Sequence, residues 1–406
     1  MLRHLAFFEE LAKADDTDAN WRSLSAGLVV LRLVDQWISA GPADDTSWSI
    51  GAVRDAVEAI EETTLVRRIL LSVVDAIADA RPGDIGPVIP RLMAYAKALE
   101  YDVRWRLAVD VYATILQYAD PVADADVVVT AYVQTATCLR SLGDVDGSLV
   151  PSLQAQAVAK AVGDTGGFLS GRISEASAAR SRGNYPLAAR ILDEVIAATG
   201  DDLYPDVRWR ALHARASTAG MSGDFTLAIQ SLYTALPLAP SERDRERILG
   251  DLATGFMELG FLDIARDAYL VVNATSQDRF IRWTSALNLM EIAGLQRSEL
   301  VFDRLRRELS NVEFPPYLQA KYLIIVANGY RHLGRPELAI PLLSQAIEYS
   351  RANGLNHEGF EAEQCLAAAR KDLRAPESRE VTSVPSDLAD VADAIRSMVS
   401  AAGAGD

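Results

Sequence analysis

The sequence predicts an all-α protein in which pairs of antiparallel helices stack into a solenoid. Glycines recur at intervals of 34 to 40 residues, and four of them are followed five residues later by alanine. No segment alternates apolar and polar residues for long enough to indicate a strand. An internal period in this range is typical of stacked helical repeats. The recurring glycines are Gly143, Gly183, Gly223, Gly260, Gly294 and Gly334.

Residues 1–83 carry no repeat glycine and are expected to form a helical region of their own. Apolar spacing, and stop signals such as Gly41-Pro42, divide this region into four amphipathic helices. It is either a divergent pair of repeats with a cap or a distinct helical bundle. The predicted helices are Leu2–Ala14, Asn20–Ala40, Ser47–Glu62 and Thr64–Ala80.

Residues 84–373 are expected to form the solenoid, with about seven helix pairs and a capping helix at His357–Leu373. The first pair is Gly86–Glu100 and Val103–Ala119, and each later pair turns at one of the six glycines. Glycine suits this turn because it lacks a Cβ and adopts a left-handed backbone at low cost. An alanine five residues later lets the two helices approach closely. These alanines are Ala188, Ala228, Ala265 and Ala339.

Residues 374–406 are predicted to form a polar linker, 374–384, followed by a short amphipathic helix. Ser386 is the expected N-cap of this helix, which extends to Ser400. It either caps the solenoid's own C-terminal end or docks on a partner protein. The apolar stripe available for docking comprises Leu388, Val391, Ile395, Met398 and Val399.

Composition narrows the class of partner. The formal net charge of -16 argues against nucleic acid and against an anionic membrane surface, since both need clustered basic residues. Cys138 and Cys365 lie within helical patterns and make neither a disulfide framework nor a metal motif. No secretory signal or membrane-spanning stretch is visible, and lysine is rare among the basic residues. We expect a cytoplasmic bacterial protein without membrane insertion.

The segment Gly223–Pro240 resembles the tetratricopeptide repeat family, with its turn glycine followed by an aromatic residue, alanines and a proline. The resemblance covers residues 86–356, with a period longer than the family's usual length of about 34 residues. The chain departs from the pattern at Ser148 and Glu299, where alanine is expected. The resemblance is to the long-period bacterial type, and it implies a right-handed superhelix that binds a protein or peptide along its concave side.

By this resemblance, the first helix of each pair lines the groove, at positions six and three residues before the turn glycine. Small polar side chains could hydrogen-bond a peptide backbone, and arginines could clamp acidic groups. The alternative is that these positions are simply solvated or suit close helix packing. The polar positions are Thr137, Ser177, Ser217, Thr254, Asn288 and Asn328, and the arginines are Arg140, Arg180 and Arg331.

No catalytic or cofactor motif is recognisable in the sequence, so we expect neither enzymatic activity nor a bound cofactor. The nearest approach to a metal pair is His357 and Glu361, which more simply begin an exposed helix. The expected function is that of an adaptor or regulatory scaffold. The alternatives are a sensor responsive to a ligand or peptide, and a structural subunit of a larger assembly. An enzyme, or the regulatory half of one, has least support.

Overall fold

The computed structural model describes residues 3–15, 18–39, 47–81, 83–200, 203–372 and 384–402, and within these ranges it contains helices and turns but no strand. The prediction of an all-α fold is confirmed. Leu2, Ala40 and Leu373, which were expected at helix ends, lie outside the described residues. Most of the expected linker, 374–383, also lies outside them.

Twenty α-helices follow one another along the described chain. Their bounds are α1 Leu5–Leu11, α2 Ala19–Ser39, α3 Ser47–Glu58, α4 Leu65–Asp79, α5 Ile89–Tyr101, α6 Trp105–Tyr118, α7 Ala125–Ser141, α8 Leu149–Val162, α9 Thr165–Ser181, α10 Tyr185–Thr199, α11 Pro205–Met221, α12 Phe225–Ala235, α13 Glu242–Glu258, α14 Leu262–Thr275, α15 Arg279–Leu295, α16 Glu299–Leu309, α17 Pro316–His332, α18 Pro336–Ala352, α19 Asn356–Asp372 and α20 Ala389–Ala402. Two short 3₁₀ segments occur at Leu236–Leu238 and Ser386–Leu388.

The chain divides into two compact units, Met1–Val207 and Arg208–Asp406. In the first unit the N-terminal helices share one hydrophobic core with the first helix pair, α5 and α6. Trp37 of α2, Tyr95 of α5 and Tyr112 of α6 are all at most 1 % exposed in that core. The N-terminal helices are therefore joined to the repeats by a common apolar interior.

The second unit is built from successive helix pairs with smaller, alanine-rich cores. At its end, α17 packs on α18, and α18 packs on α19. One core cluster there contains Ala327, Ala339, Leu343 and Ala369, each fully buried. A methyl group at these positions leaves room for neighbouring helices to approach closely. The alanine that follows each turn is thus a packing residue, as the sequence indicated.

The turn inside each pair is marked by one residue with a left-handed backbone. In five pairs it is a predicted glycine, but Gly294 lies within α15, and the left-handed residue of that pair is Arg297. The prediction that the chain turns at Gly294 is therefore wrong. In the first pair the turn residue is Val103. The seven turn residues, Val103, Gly143, Gly183, Gly223, Gly260, Arg297 and Gly334, are spaced by 40, 40, 40, 37, 37 and 37 positions.

The first helix of each pair, here called the A helix, keeps a constant length. The helices α7, α9, α11, α13, α15 and α17 each contain 17 residues. The second, or B, helix begins with a side-chain cap in two pairs. Asn184 accepts a hydrogen bond from Leu187 N at 3.2 Å, and Asp224 accepts one from Leu227 N at 3.0 Å. A turn glycine followed by Asn or Asp thus ends one helix and begins the next.

The two non-glycine turn residues give a direct test of this turn assignment. Val103 (φ 62°) and Arg297 (φ 57°) are exposed and adopt a backbone that costs non-glycine residues about 1–2 kcal/mol. After the entropy that glycine adds to the unfolded chain, V103G and R297G should each raise the free energy of unfolding by about 0.5–1 kcal/mol. Urea titration measures the change. Gly183→Ala is the opposite control and should lower stability, so shifts of the same sign would contradict the assignment.

Candidate functional site

The corrected turn at Arg297 changes which residue of α15 matches the other A helices. The position six residues before the turn is occupied by Thr137, Ser177, Ser217, Thr254, Glu291 and Asn328. Asn288 therefore lies nine residues before its turn, almost one helical turn earlier than predicted. The register of the other predicted polar residues is unchanged.

Four of the predicted hydroxyl groups are already used inside their own helices. Each donates a hydrogen bond to the carbonyl oxygen four residues earlier. The pairs are Thr137 to Val133 (3.0 Å), Ser177 to Ile173 (3.0 Å), Ser217 to His213 (3.0 Å) and Thr254 to Gly250 (3.1 Å). Since the hydroxyl proton is committed, these oxygens offer a ligand an acceptor and not a donor.

A cavity of about 450 Å³ lies between α13, α14 and α15 in the second unit. Two of the predicted site residues, Thr254 of α13 and Asn288 of α15, line it together. Its volume is within the range of about 300–1,000 Å³ that is typical of ligand pockets. The cavity is thus the part of the described chain where predicted groove residues converge on one enclosed space.

Tyr269 of α14 joins the two sides of this cavity. Its ring is 2 % exposed, and its hydroxyl lies 2.8 Å from Thr254 Oγ1. Asn288 also hydrogen-bonds the tyrosine hydroxyl. Burial raises the pKa of Tyr269, so the phenol stays protonated at neutral pH. Because Thr254 donates to its own helix, the phenol proton points to Thr254, and Asn288 donates to the phenol oxygen.

Charged and aromatic side chains surround the cavity. Arg243 pairs with Asp278 at 3.2 Å, and Arg247 lies 3.5 Å from Asp244. The guanidinium of Arg247 also stacks over the indole of Trp209, 5.5 Å from the ring centroid. Both arginines border the cavity, together with the exposed ring of Phe280. A ligand would therefore meet basic groups and an apolar ring next to the hydroxyl and amide groups.

Glu291, which takes the expected position of Asn288, is a half-buried carboxylate on α15. Burial raises its pKa, the carboxylates of Glu361 and Glu258 add to the rise, and Lys321 opposes it. Lys321 itself is paired with Glu361. This A helix therefore carries negative charge beside the cavity.

At the end of the second unit, two predicted residues act together in a contact between helices. Asn328 of α17 donates through Nδ2 to Cys365 Sγ of α19 at 3.3 Å and accepts from Arg331 Nη1 at 3.2 Å. Arg331 also pairs with Asp372 at 2.9 Å. These side chains hold α17 to α19, which leaves them less available to a ligand than Thr254 and Asn288.

In the first unit, Arg140 and Thr137 lie together near the end of α7. Arg140 Nη2 donates to Thr137 Oγ1 at 2.9 Å. Arg180 occupies the same repeat position on α9, which packs against α7. All three side chains are half-buried.

The C-terminal helix α20 packs mainly on α14, with its preceding 3₁₀ turn against α12. Leu388, Val391 and Ile395 are at most 4 % exposed there, and Met398 is half-buried. Gln230 Nε2 of α12 lies 3.5 Å from Asp387 Oδ2. The expectation of a cap on the last helix pair is therefore wrong, because the helix covers a B helix in the middle of the second unit.

Two searches of the described residues gave negative results. Within the ranges that the structure describes, no cluster of three or more His, Cys, Asp or Glu side chains is arranged to hold a metal ion. None of the described helices combines the length and the apolar character needed to cross a membrane.

Sequence signals for the cavity residues were present but weak. Tyr269 stands nine residues after its turn, where the second, third and seventh pairs have Leu192, Leu232 and Leu343. A tyrosine among leucines indicates a polar tip that needs a hydrogen-bond partner. Arg243 and Arg247 had no such signal, since basic residues on a helix surface are common.

Several solved structures resemble this chain in part. A Rap protein in complex with Competence and Sporulation Factor is 15 % identical, with a TM-score of 0.46 over 87 % of this chain and 99 % of its own. A signal transduction ATPase with a tetratricopeptide repeat sensor, from Pyrococcus horikoshii, is 11 % identical, with a TM-score of 0.47 over 79 % of this chain and 55 % of its own. The P58(IPK) TPR domain is 13 % identical, with a TM-score of 0.22 over 77 % of this chain and 98 % of its own.

No protein-family model matches the chain. No curated protein sequence matches it either. Because the TM-scores are all below 0.5, the helix-pair fold is established by this chain's own helices and turns. The repeat expected from the resemblance to the tetratricopeptide family, an A helix, a left-handed turn and a B helix, is present in seven pairs.

Proposed function

We propose that this chain is a non-catalytic scaffold that binds a protein or peptide along its A helices, as an adaptor or regulatory subunit. The cavity between α13, α14 and α15 carries the proposal, because it brings Thr254 and Asn288 together on one enclosed space. The other members of the proposed contact set are Thr137, Arg140, Ser177, Arg180, Ser217, Asn328 and Arg331.

The chemistry of the cavity suits a peptide segment. Acceptor oxygens such as Thr254 Oγ1 can receive backbone N–H groups, and the free valences of the Asn288 amide can meet a peptide unit. The exposed ring of Phe280 can receive an apolar side chain. A net charge of -16 disfavours nucleic acid as the partner. We further propose that the protein works in a bacterial cytoplasm.

The enclosed volume also favours a second candidate function, that of a sensor for a short peptide or small ligand. An adaptor binds its partner without needing a change of shape, whereas a sensor must have different affinities in two states. A change in the radius of gyration on saturation with ligand, measured by small-angle scattering, would distinguish the sensor from the adaptor.

Selection from a displayed library of random heptapeptides on the full-length protein tests the proposal. Enriched peptides should bind in fluorescence anisotropy, and T254V should weaken them about 2- to 10-fold through loss of one neutral hydrogen bond. N288L should weaken them further, because it leaves the buried Tyr269 hydroxyl without its donor. Gln345→Leu, on the exposed face of α18, is the matched control and should bind normally. Enrichment no higher than on N288L would exclude this cavity as the binding site.

A further inference from the structure

Arg140 is a half-buried guanidinium whose printed partners are all uncharged. Its Nη2 donates to Thr137 Oγ1 at 2.9 Å, and its Nη1 lies 3.3 Å from Ser174 Oγ and 3.5 Å from the Ser174 carbonyl oxygen. Ser174 is itself 3 % exposed and hydrogen-bonds Ser152 at 2.8 Å. The guanidinium is therefore oriented by a buried polar network on α7, α8 and α9.

The acidic groups around this part of the first unit are engaged elsewhere. Glu175 of α9 pairs with Arg172, and Asp146 pairs with Arg182. Glu100, which holds the equivalent position one repeat earlier, accepts a hydrogen bond from Tyr112. Among the ion pairs of the described residues, none includes Arg140. Its charge is therefore not neutralised by a carboxylate within the described chain.

A second positive charge stands next to the first. Arg180 follows Arg140 by one repeat, on the neighbouring A helix α9. Burial, and then the charge of Arg180, lower the pKa of Arg140 to about 10. Burial also lowers the pKa of Arg180. Two partly desolvated like charges raise each other's free energy unless an anion joins them.

We propose that Arg140 and Arg180 form a binding site for a carboxylate of an acidic peptide, either an Asp or Glu side chain or the C-terminus. The proposal rests on the proposed function and names the chemistry of the ligand in the first unit. Guanidinium groups bind carboxylates through paired hydrogen bonds, and the contacts with Thr137 and Ser174 hold Arg140 in place for this.

Thermal unfolding of the full-length protein, at constant ionic strength, provides the test. The probes are the capped tripeptides Ac-Glu-Glu-Glu-NH2 and Ac-Gln-Gln-Gln-NH2, with inorganic phosphate in a parallel series. At about ten times its Kd the glutamate peptide should raise the Tm by about 1–3 °C, because a ligand that binds only the folded state stabilises it. The glutamine peptide should give no rise.

Variants at the two arginines make the test specific. R140Q and R180Q should each abolish the rise in Tm with the glutamate peptide, whereas R182Q, at an exposed arginine paired with Asp146, should keep it. Far-UV circular dichroism confirms that each variant is folded, and calorimetric titration of the same peptide into the wild type and R180Q gives a second readout. An equal rise in Tm in all four proteins, or no rise in the wild type, overturns the proposal. A rise that depends on the arginines with phosphate alone overturns the assignment to a carboxylate.

The outcome is separable from that of the heptapeptide selection. If the tripeptide shift depends on Arg140 and Arg180 but no heptapeptide depends on Asn288, the cavity proposal fails and the carboxylate site stands. If heptapeptides bind through Asn288 and the tripeptide shift is absent, only the carboxylate site fails.

Discussion

Gly329→Ala is expected to destabilise the second unit by about 3 kcal/mol, although alanine is normally the better helix former. A Cβ at Gly329 would overlap the buried ring of Phe302, which is 0 % exposed. The backbone cannot move away, because a Cβ placed on Gly294 would already lie 2.8 Å from Gly329 Cα. Overpacking in a close helix contact costs about 1–3 kcal/mol and sometimes more. The apparent Tm and the hydrogen exchange of α15–α17 measure the loss.

The cause lies in an exchange of sizes between neighbouring repeats. Phe302 stands five residues after its turn, where other pairs have a small residue such as Ala265 or Ala339. Gly329 provides the space for it. F302A alone should leave a cavity, whereas F302A together with G329A should cost less than the sum of the single changes. Gly250→Ala, where a Cβ meets nothing within 4 Å, is the control and should stabilise by about 0.5–1 kcal/mol. Equal effects at Gly329 and Gly250 would disprove the contact.

Ile395→Asp is expected to release α20 from α14. Ile395 is 1 % exposed in this contact, and an ionised carboxylate there would be buried without a partner. Burial of Leu388, Val391 and Ile395 contributes roughly 5 kcal/mol before the cost of ordering the helix. Because the helix is held mainly by these side chains, its amides should lose hydrogen-exchange protection while the helix pairs keep theirs.

Two further variants locate the contact. Ser397→Asp changes an exposed residue of the same helix and should leave the protection of α20 intact. Val271→Asp places the charge on α14 instead and should release α20 as I395D does. If α20 is as well protected in I395D as in the wild type, or is unprotected in both, the packing described for it is wrong.

The position of α20 could have been read from the repeats. The residue eleven positions after the turn is exposed in most B helices, because it points away from the A helix. Val271 is apolar and 7 % exposed at this position in α14, whereas its exposed equivalents are Gln154, Glu194, Thr234, Glu308 and Gln345. An apolar residue among polar ones indicates an additional covering element, and α20 supplies it.

The fold was predictable because its main determinants are local. Alanine and glycine at fixed offsets specify a turn and a close helix contact without reference to distant residues. Arg297 was missed because its left-handed backbone is carried by a side chain that gives no signal for it, while Gly294 nearby supplied a false one. The cavity was not predictable, since Tyr269 reaches Thr254 and Asn288 only after three helices have packed.

The constant A helix has a consequence for how such a chain tolerates changes in length. From the turn residue to the start of the next A helix the chain uses 22 or 19 residues, so the difference of three lies entirely in the B helix and the connection after it. Insertions and deletions during evolution would then accumulate along one edge of each repeat. A foreign epitope grafted into residues 310–315, between α16 and α17, should be displayed without shifting the A helices, since surface connections accept added length at small entropic cost.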